Sequence, residues 1–382
     1  MKKKLLFLVG LLAVMTSAQA ADGTLCIANV TNLIPGQTGT LDIVISGSDN
    51  TYRDFQFDIT LPTGLTYTGY TVGELINGTG EAAYIVTRSD QGGNKSRFTG
   101  YTSATNTMKA KNGTLLTISF TVASTVTSSV SGELSLSGIS LTNASATSYL
   151  LTNVQNVIFG DALVPTDQSG VYVTMGRTFM ADKWSTICLP FAMTADQVTA
   201  AFGSGVEIGD FNGYTISGNT INVNFTTPTP KAISANHPYI LKVASTINSF
   251  SVADPVNISY SSPTNNKGTG QDMIGVYAET TLNQYDLYIK DNTFKYAANS
   301  TNVKLRPYHA FFRFGDFSPS AGARAVTINY NGNATGIQGV VAPWAGSESI
   351  YDLQGRRVET PTNGVFIQNG KKVTKKSVRS NR

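Results

Sequence analysis

Side chains that could act as a base near neutral pH are scarce in this sequence. His237 and His309 are its two histidines, and neither lies in a His-Glu-x-x-His motif or another spacing typical of metal ligands. His309 falls in the apolar segment 306–312, which favours a half-buried structural residue over a catalyst. No Gly-x-Ser-x-Gly nucleophile motif occurs. The sequence therefore predicts no metal, no cofactor and no catalytic residue.

Paired carboxylates are the remaining route to an enzyme, because the two acids of a glycosidase can lie far apart in a sequence. Acids are sparse here, with 24 Asp and Glu in 382 residues. Those in strands stand at the polar positions of an alternating pattern, as Asp58 does, and we expect them to point into water. A glycoside-processing enzyme is thus the least favoured alternative.

Aromatic side chains could instead bind a ligand, since an exposed ring covers the apolar face of a pyranose. The candidate ligand-binding residues are Tyr67, Tyr70, Phe98 and Tyr101. Packing in the core or over a turn is the alternative for each of them. Trp184, beside the apolar segment 187–191, is predicted to be a core aromatic instead of a sugar platform.

The N-terminus predicts a secretory signal peptide. Three lysines at 2–4 precede an apolar run at 5–15, and Ala18 and Ala20 supply the small residues of a cleavage site. We expect cleavage between Ala20 and Ala21 and a secreted, extracellular protein. The apolar run is too short to span a bilayer, and no later segment predicts a transmembrane helix.

The net charge and the cysteine content exclude two further classes of protein, nucleic-acid binders and proteins stabilised by disulfides. The formal net charge is +4, but three lysines leave with the signal peptide and six lysines and arginines lie in the tail 371–382. The remainder is mildly acidic, which argues against a nucleic-acid partner. The two cysteines, Cys26 and Cys188, fall in different predicted domains, so we expect both to be buried and unpaired.

The elements that must position these residues are β-strands. Apolar and polar residues alternate at 55–61 and at 116–122, which places one face of each strand in a core. Turn residues recur at the spacing of a sandwich or barrel. One helix is predicted, where Thr194 and Gln197 form a capping box and Gly203 ends the segment.

The predicted fold is all-β, with two tandem β-sandwich domains of jelly-roll or immunoglobulin-like type and a small C-terminal β-module. The predicted boundaries are 1–20 for the signal peptide, 22–162 and 171–331 for the sandwiches, and 348–376 for the module. A polar connection at 161–170 favours independent folding of the sandwiches, and the segment 331–334 ends the second one. Asn369-Gly370 predicts a hairpin in the module.

Three segments of the first domain resemble cohesin domains and related carbohydrate-binding modules. They are 34–45 (IPGQTGTLDIVI), 52–65 (YRDFQFDITLPTGL) and 113–122 (GTLLTISFTV). The resemblance implies a nine-stranded jelly-roll core and the binding of a dockerin module or a polysaccharide. No calcium-loop pattern of the Asp-x-Asn-x-Asp-Gly kind occurs, so we expect no dockerin in this chain.

Two further segments carry weaker resemblances. Residues 183–191 (KWSTICLPF) resemble a β-rich module of surface proteins from Gram-negative polysaccharide degraders, which implies no activity. Residues 350–358 (IYDLQGRRV) and 364–373 (GVFIQNGKKV) are similar to the C-terminal sorting domain of type IX secretion substrates. Such domains end soon after the lysines, whereas this chain continues to Arg382. A plain small β-module is the alternative.

Together these features predict a secreted, non-catalytic protein on the outer surface of a Gram-negative bacterium. Its partner would be a polysaccharide or a protein, recognised by the cohesin-like domain. The alternative is a structural or adhesin-type surface protein whose modules are spacers. A planar row of exposed aromatics on one sheet would favour a glycan, and a flat apolar face with a polar rim would favour a protein.

Overall fold

The structure is a computed structural model that describes residues 21–78, 83–102, 106–126, 130–161, 163–217, 220–297, 302–315, 325–340, 350–352, 357–358, 364–368 and 371–375. Within these ranges the chain forms β-strands and one short helix, which confirms the predicted all-β class. No helix in this part of the chain is long and apolar enough to cross a membrane. The predicted signal peptide, with Ala20, and the Asn369-Gly370 pair lie outside the described residues.

Ten strands build the first sandwich. They are β1 (Ala21–Ala28), β2 (Thr38–Ser46), β3 (Tyr52–Thr60), β4 (Leu65–Val72), β5 (Tyr84–Gly92), β6 (Lys95–Thr102), β7 (Gly113–Val122), β8 (Gly132–Asn143), β9 (Ser148–Asn153) and β10 (Asn156–Phe159). One layer has the order β9-β1-β2-β7-β4 and the other has β8-β3-β6-β5. Strand β8 also pairs with β9, so the two layers join at one corner.

Apolar side chains at alternate positions of the strands fill the space between these two layers. We call this space the first core. Phe55, Phe57 and Ile59 are each at most 2% exposed, whereas Gln56 between them is partly exposed. The rings of Phe57 and Phe98 stack at 5.4 Å between centroids. Burying each such side chain contributes about 1.5–3 kcal/mol to stability. The buried side of each strand is therefore fixed, and the opposite side is left for contacts with other molecules.

Sixteen strands and the helix follow. They are β11 (Gln168–Met175), β12 (Ser185–Ile187), α1 (Ala195–Phe202), β13 (Glu207–Ser217), β14 (Thr220–Thr226), β15 (Tyr239–Lys242), β16 (Phe250–Ser251), β17 (Val256–Ile258), β18 (Thr264–Asn266), β19 (Gln271–Gly275), β20 (Thr280–Thr281), β21 (Leu287–Lys290), β22 (Thr293–Tyr296), β23 (Lys304–Leu305), β24 (Ala310–Phe314), β25 (Ala325–Tyr330) and β26 (Asn333–Val340). A sheet of order β12-β15-β13-β14-β25-β26 packs on one of order β18-β19-β24-β21-β22. These two sheets form the second sandwich.

Trp184 lies in the core between the two sheets of the second sandwich. Its side chain is 3% exposed and packs against Tyr330 at 5.0 Å between ring centroids. Phe211, Phe225 and Phe312 belong to the same cluster. The prediction of a core aromatic at Trp184 is confirmed, because the ring presents almost no surface for stacking on a sugar.

Strand β10 joins the first sandwich to the part of the chain that follows it, so we call it the shared strand. Its backbone pairs antiparallel with β8 of the first sandwich and parallel with β11 of the second part. Ile158 packs in the first core, whereas Val157 and Phe159 pack in a second cluster, the middle core. Tyr239 and Leu241 of β15 face this middle core as well. The polar connection at 161–170 therefore follows a strand that is hydrogen-bonded both to β8 of the first sandwich and to β11.

The Asn331-Gly332 pair is a hairpin turn and not the end of the second sandwich. Both residues have positive φ angles, 51° and 81°, as the two-residue turn of a β-hairpin requires. Strand β26 follows directly and pairs antiparallel with β25. The second sandwich thus continues to Val340, nine residues beyond the predicted boundary.

The helix α1 begins and ends where its local signals predicted. Thr194 is its N-cap and forms the capping box with Gln197. Val198 and Phe202 are its buried residues, and Gly203 follows with a positive φ of 87°. Phe202 packs on Phe250 at 4.6 Å, so the helix covers the middle core.

The C-terminal module has its own small sheet. Its strands are β27 (Ile350–Tyr351), β28 (Arg357–Val358), β29 (Gly364–Gln368) and β30 (Lys371–Lys375), in the antiparallel order β28-β27-β29-β30. Gln368 pairs with Lys371 across the two residues of the predicted hairpin turn. Ile350 and Phe366 are buried, at 5% and 8% exposure.

Candidate functional site

Phe98 offers no surface to a ligand. Its side chain is fully buried and stacks on Phe57 in the first core. On strand β6 it occupies an inward position, between the outward residues Arg97 and Thr99. The prediction of an exposed ring at Phe98 is therefore wrong, because the apolar member of this alternating strand faces the core.

Tyr67 and Tyr70 lie on β4, where their rings pack edge-on against Phe98 at 6.0 and 5.6 Å between centroids. The Tyr70 hydroxyl donates a hydrogen bond to the carbonyl oxygen of Val86 at 2.8 Å. The guanidinium of Arg88 lies over the Tyr67 ring at 4.4 Å. Both tyrosines are partly buried and link β4 to β5, which belong to different layers. They close this side of the sandwich.

Tyr101 is the one surface ring among the four predicted residues. Its side chain is 43% exposed, and it pairs across strands with Ile85, which is 47% exposed. Tyr67, Tyr70 and Phe98 form one cluster at the core, and Tyr101 lies on the opposite side of β6. The structure therefore does not bring the four residues together as a sugar platform.

Tyr101 and Ile85 belong to the solvent side of the β8-β3-β6-β5 layer, which we call the outer face. Small polar residues continue this face in register from strand to strand. Thr87 pairs with Thr99, Thr99 with Gln56, and Gln56 with Ser140. Since short side chains project equally from a pleated sheet, the middle of the outer face is flat and offers hydroxyl and amide groups.

A charged cluster occupies the far end of the outer face. Arg97 donates two hydrogen bonds to the Asp58 carboxylate, from Nε at 2.7 Å and from Nη2 at 3.0 Å, and Lys95 Nζ lies 3.0 Å from Oδ2. The Asp58 side chain is only 3% exposed. Hydrogen bonds from Arg97 and then Lys95 outweigh burial and lower the pKa of this carboxyl.

Asp58 corrects the expectation that the strand acids point freely into water. The alternation placed it on the right face, but the side chains of Arg97 and Lys95 cover it. Their position depends on the register of β3 with β6, in which Asp58 is opposite Arg97. Sequence alternation alone carries no information on that register.

Asp22 is a second buried acid, and it is the second residue after the predicted cleavage site. Its carboxylate accepts hydrogen bonds from the hydroxyls of Tyr52 (2.5 Å) and Ser48 (3.0 Å), the side-chain amide of Asn50 (2.9 Å) and the backbone N–H of Asp49 (2.9 Å). Burial raises its pKa, but these four donors together outweigh it and lower the pKa to about 2. A carboxylate held this strongly ionised is a structural anchor and a poor general acid.

Acid is expected to weaken this anchor. A carboxyl whose pKa is lowered on folding stabilises the fold above its unfolded pKa of about 3.9 and loses that contribution as the pH falls through about 2. Asp22→Asn should therefore lower the free energy of unfolding at pH 7 by about 2 kcal/mol, and by much less at pH 2.5. Urea denaturation at the two pH values measures this difference.

Asp291→Asn, at an exposed position, is the matched control and should change stability by less than about 0.5 kcal/mol at either pH. An equal loss for Asp22→Asn at both pH values would contradict the role assigned to its charge.

The histidines and cysteines take structural positions. His237 Nε2 lies 2.8 Å from Asp210 Oδ1 and 3.1 Å from the Asn265 amide. Cys26 and Cys188 are both buried and free, as predicted. In the described ranges, no three His, Cys, Asp or Glu side chains are gathered closely enough to hold a metal ion.

Among solved structures, this chain is similar to several cohesins. The sixth cohesin of Acetivibrio cellulolyticus scaffoldin B, solved in complex with a Cel5 dockerin mutant, is 18% identical, with 36% of this chain and 97% of that chain covered and a TM-score of 0.32. A non-cellulosomal cohesin from Archaeoglobus fulgidus is 17% identical, with 36% and 89% covered and a TM-score of 0.29. The seventh ScaB type I cohesin from Pseudobacteroides cellulosolvens is 16% identical, with 39% and 98% covered and a TM-score of 0.32.

No family model matches the chain, and no curated protein matches it. At the identities and scores of the cohesins, the likeness assigns neither a partner nor a binding residue to this chain.

Proposed function

We propose that this is a secreted, non-catalytic recognition protein whose first sandwich binds a protein partner on the outer face. The observation that carries the proposal is the pair Ile85 and Tyr101. The two side chains are adjacent across strands, and nearly half of each is exposed. An aliphatic and an aromatic side chain held side by side in water form an apolar patch that gains free energy when a partner covers it.

The rest of the outer face suits a protein better than a polysaccharide. A glycan held by stacking needs a row of exposed rings, and Tyr101 is the only one of the four predicted rings that is exposed here. Protein interfaces combine an apolar patch with a polar rim and hydrogen-bonding groups. The hydroxyl rows between Thr87 and Ser140 and the ion pairs of Asp58 supply these features.

The location of the protein is part of the same proposal. Export is supported by the sequence of residues 1–20, and surface display is supported by the similarity of residues 350–373 to a sorting domain. Strand β1 pairs from Ala21 onward with β9, so the folded part of the chain includes the residue that cleavage would expose. The C-terminal module would then present the two sandwiches at the outer surface.

Photocrosslinking tests the outer face directly. We expect a photoreactive phenylalanine at Tyr101, in otherwise intact protein on cells, to give a protein adduct of discrete size. The matched control carries the same residue at Ile216 of the second sandwich, which is 49% exposed and should give no such adduct.

The crosslinked partner is then purified and titrated against the protein by calorimetry. Tyr101→Ala should weaken binding by about tenfold or more, as loss of an aromatic at the centre of an interface does, and Ile216→Ala should not. Equal crosslinking at both positions would contradict the proposal. If the protein is retained in gels that contain a polysaccharide and gives no protein adduct, its partner is a glycan instead.

A further inference from the structure

A cleft of about 200 Å³ lies between the β1–β2 connection of the first sandwich and the part of the chain after the shared strand, and no residue of the outer face lines it. Leu33 and Ile34 of the first sandwich form one side of it. Arg177, Arg306, His309 and Asn248 line it from the other side. Two guanidinium groups therefore share a small, partly open cleft with the half-buried side chain of Ile34.

Arg177 has no carboxylate within ion-pair distance among the described residues, although Asp161 lines the same cleft. Its Nη1 donates a hydrogen bond to the carbonyl oxygen of Tyr308 at 2.6 Å, and its Nη2 donates to that of Thr186. Its Nε–H is buried without a hydrogen-bond partner, and the guanidinium lies over the Phe179 ring at 4.6 Å. None of the ion pairs among the described residues includes Arg177. A buried charge of this kind is costly unless a counter-charge approaches it.

Arg306 adds a second positive charge at the mouth of the cleft. Its Nη1 lies 3.4 Å from Asp161 Oδ2, and its side chain is 63% exposed, so this ion pair is long and loosely held. Burial and the nearby charge of Arg177 lower the pKa of His309 to about 3, so the imidazole is neutral at pH 7. The cleft lining thus contains two guanidinium groups and a single carboxylate, that of Asp161. The net charge of the lining is therefore +1.

We propose that this cleft binds the oxyanion of a small ligand, a carboxylate or a phosphate group carried on a molecule of about monosaccharide size. Guanidinium groups present paired N–H donors that match the geometry of carboxylate and phosphate oxygens. The volume corresponds to roughly seven water molecules, more than a bare oxyanion fills. The half-buried side chain of Ile34 would cover the carbon skeleton of the ligand, whereas Leu33 packs in the first core behind it.

Calorimetric titration of the full chain tests the site with four probes. Glucuronate carries a carboxylate group. Glucose 6-phosphate and inorganic phosphate carry a phosphate group, and glucose carries neither. We expect glucuronate or glucose 6-phosphate to bind at millimolar concentration or below, and glucose not to bind. The comparison between the two sugars identifies the oxyanion, and weaker binding of inorganic phosphate shows that the ring contributes.

Three substitutions at exposed or partly exposed positions make the test specific. Arg306→Gln should weaken binding by about tenfold, because a charge-assisted hydrogen bond is lost. Asp161→Asn should strengthen binding severalfold, because it removes the competing negative charge and frees Arg306. Lys304→Gln is the matched control, at an exposed lysine paired with Glu279, and should change nothing.

Arg177 is not substituted in this test, since its hydrogen bonds to two backbone carbonyls make its loss a risk to folding. The proposal is overturned if none of the three anions binds at millimolar concentration, or if Arg306→Gln and Asp161→Asn both leave the affinity unchanged. Neither result would affect the outer face, because none of these residues lies on the first sandwich strands that form it.

Discussion

Replacing Phe159 by alanine is expected to lower the free energy of unfolding by about 3–5 kcal/mol, the cost of deleting a buried aromatic side chain from a packed core. The ring is 1% exposed. It lies edge-on to Tyr308 at 5.2 Å and stacks on Phe191 at 6.1 Å, so its removal leaves a cavity lined by rigid groups. Urea denaturation measures the loss, and Ile216→Ala, at a residue that is 49% exposed, should cost less than about 0.5 kcal/mol.

The position of Phe159 makes this loss informative about the whole chain. The shared strand hydrogen-bonds to β8 on one side and β11 on the other, and its side chains alternate between the first core and the middle core. We therefore expect the intact protein to unfold in one calorimetric transition, and Phe159→Ala to shift that transition as a whole. Two separate transitions in the wild type, of which the substitution moves only one, would mean that the sandwiches are independent.

Features specified by near neighbours in the chain could be predicted from the sequence. The helix α1 needs a capping box, an apolar side and a C-terminal glycine, and all of these lie between Thr194 and Gly203. The inward faces of β3 and β7 follow from period-two alternation in the same way. Trp184 was predictable as a core residue because it flanks the apolar segment 187–191, which indicates a buried strand.

Features that depend on which strands pair could not be predicted in this way. The run Val157-Ile158-Phe159 indicates a strand that is buried on both faces, but not that the two faces belong to two different cores. Asn331-Gly332 marks a turn whether it ends a domain or joins two strands, and only the pairing of β25 with β26 decides between them. Asp58 faces outward as alternation requires, yet Arg97 and Lys95 cover it because of a cross-strand register.

The same reasoning applies to the candidate sites. Tyr101 and Phe98 are three residues apart on one strand, and the period of two places them on opposite faces, a signal already present in the sequence. Ile85 could not be grouped with Tyr101 without the register of β5 with β6. The cleft arginines, Arg177 and Arg306, are far apart in the chain and meet because the segment before β24 lies against Arg177, which donates a hydrogen bond to the carbonyl oxygen of Tyr308.

Removing residues 348–382 is expected to abolish surface display while leaving the two sandwiches folded. Strand β26, which completes the sheet of the second sandwich, ends at Val340 and stays in the shortened chain. The strands β27 to β30 pair with one another in a sheet of their own. A module of about 30 residues buries too little surface to stabilise a larger neighbour strongly. The melting temperature should therefore fall by less than about 2 °C.

The location of the shortened protein separates sorting from export. Export depends on residues 1–20, which are retained, so the body should accumulate in the periplasm, as fractionation and surface labelling would show. Removing only 377–382, beyond the segment that is similar to sorting domains, should leave display unchanged. Removing 333–382 takes β26 as well, uncovers the edge of β25, and should lower the melting temperature markedly. Normal display of the protein that lacks 348–382 would contradict the sorting role. A large fall in its melting temperature would show instead that the module supports the second sandwich.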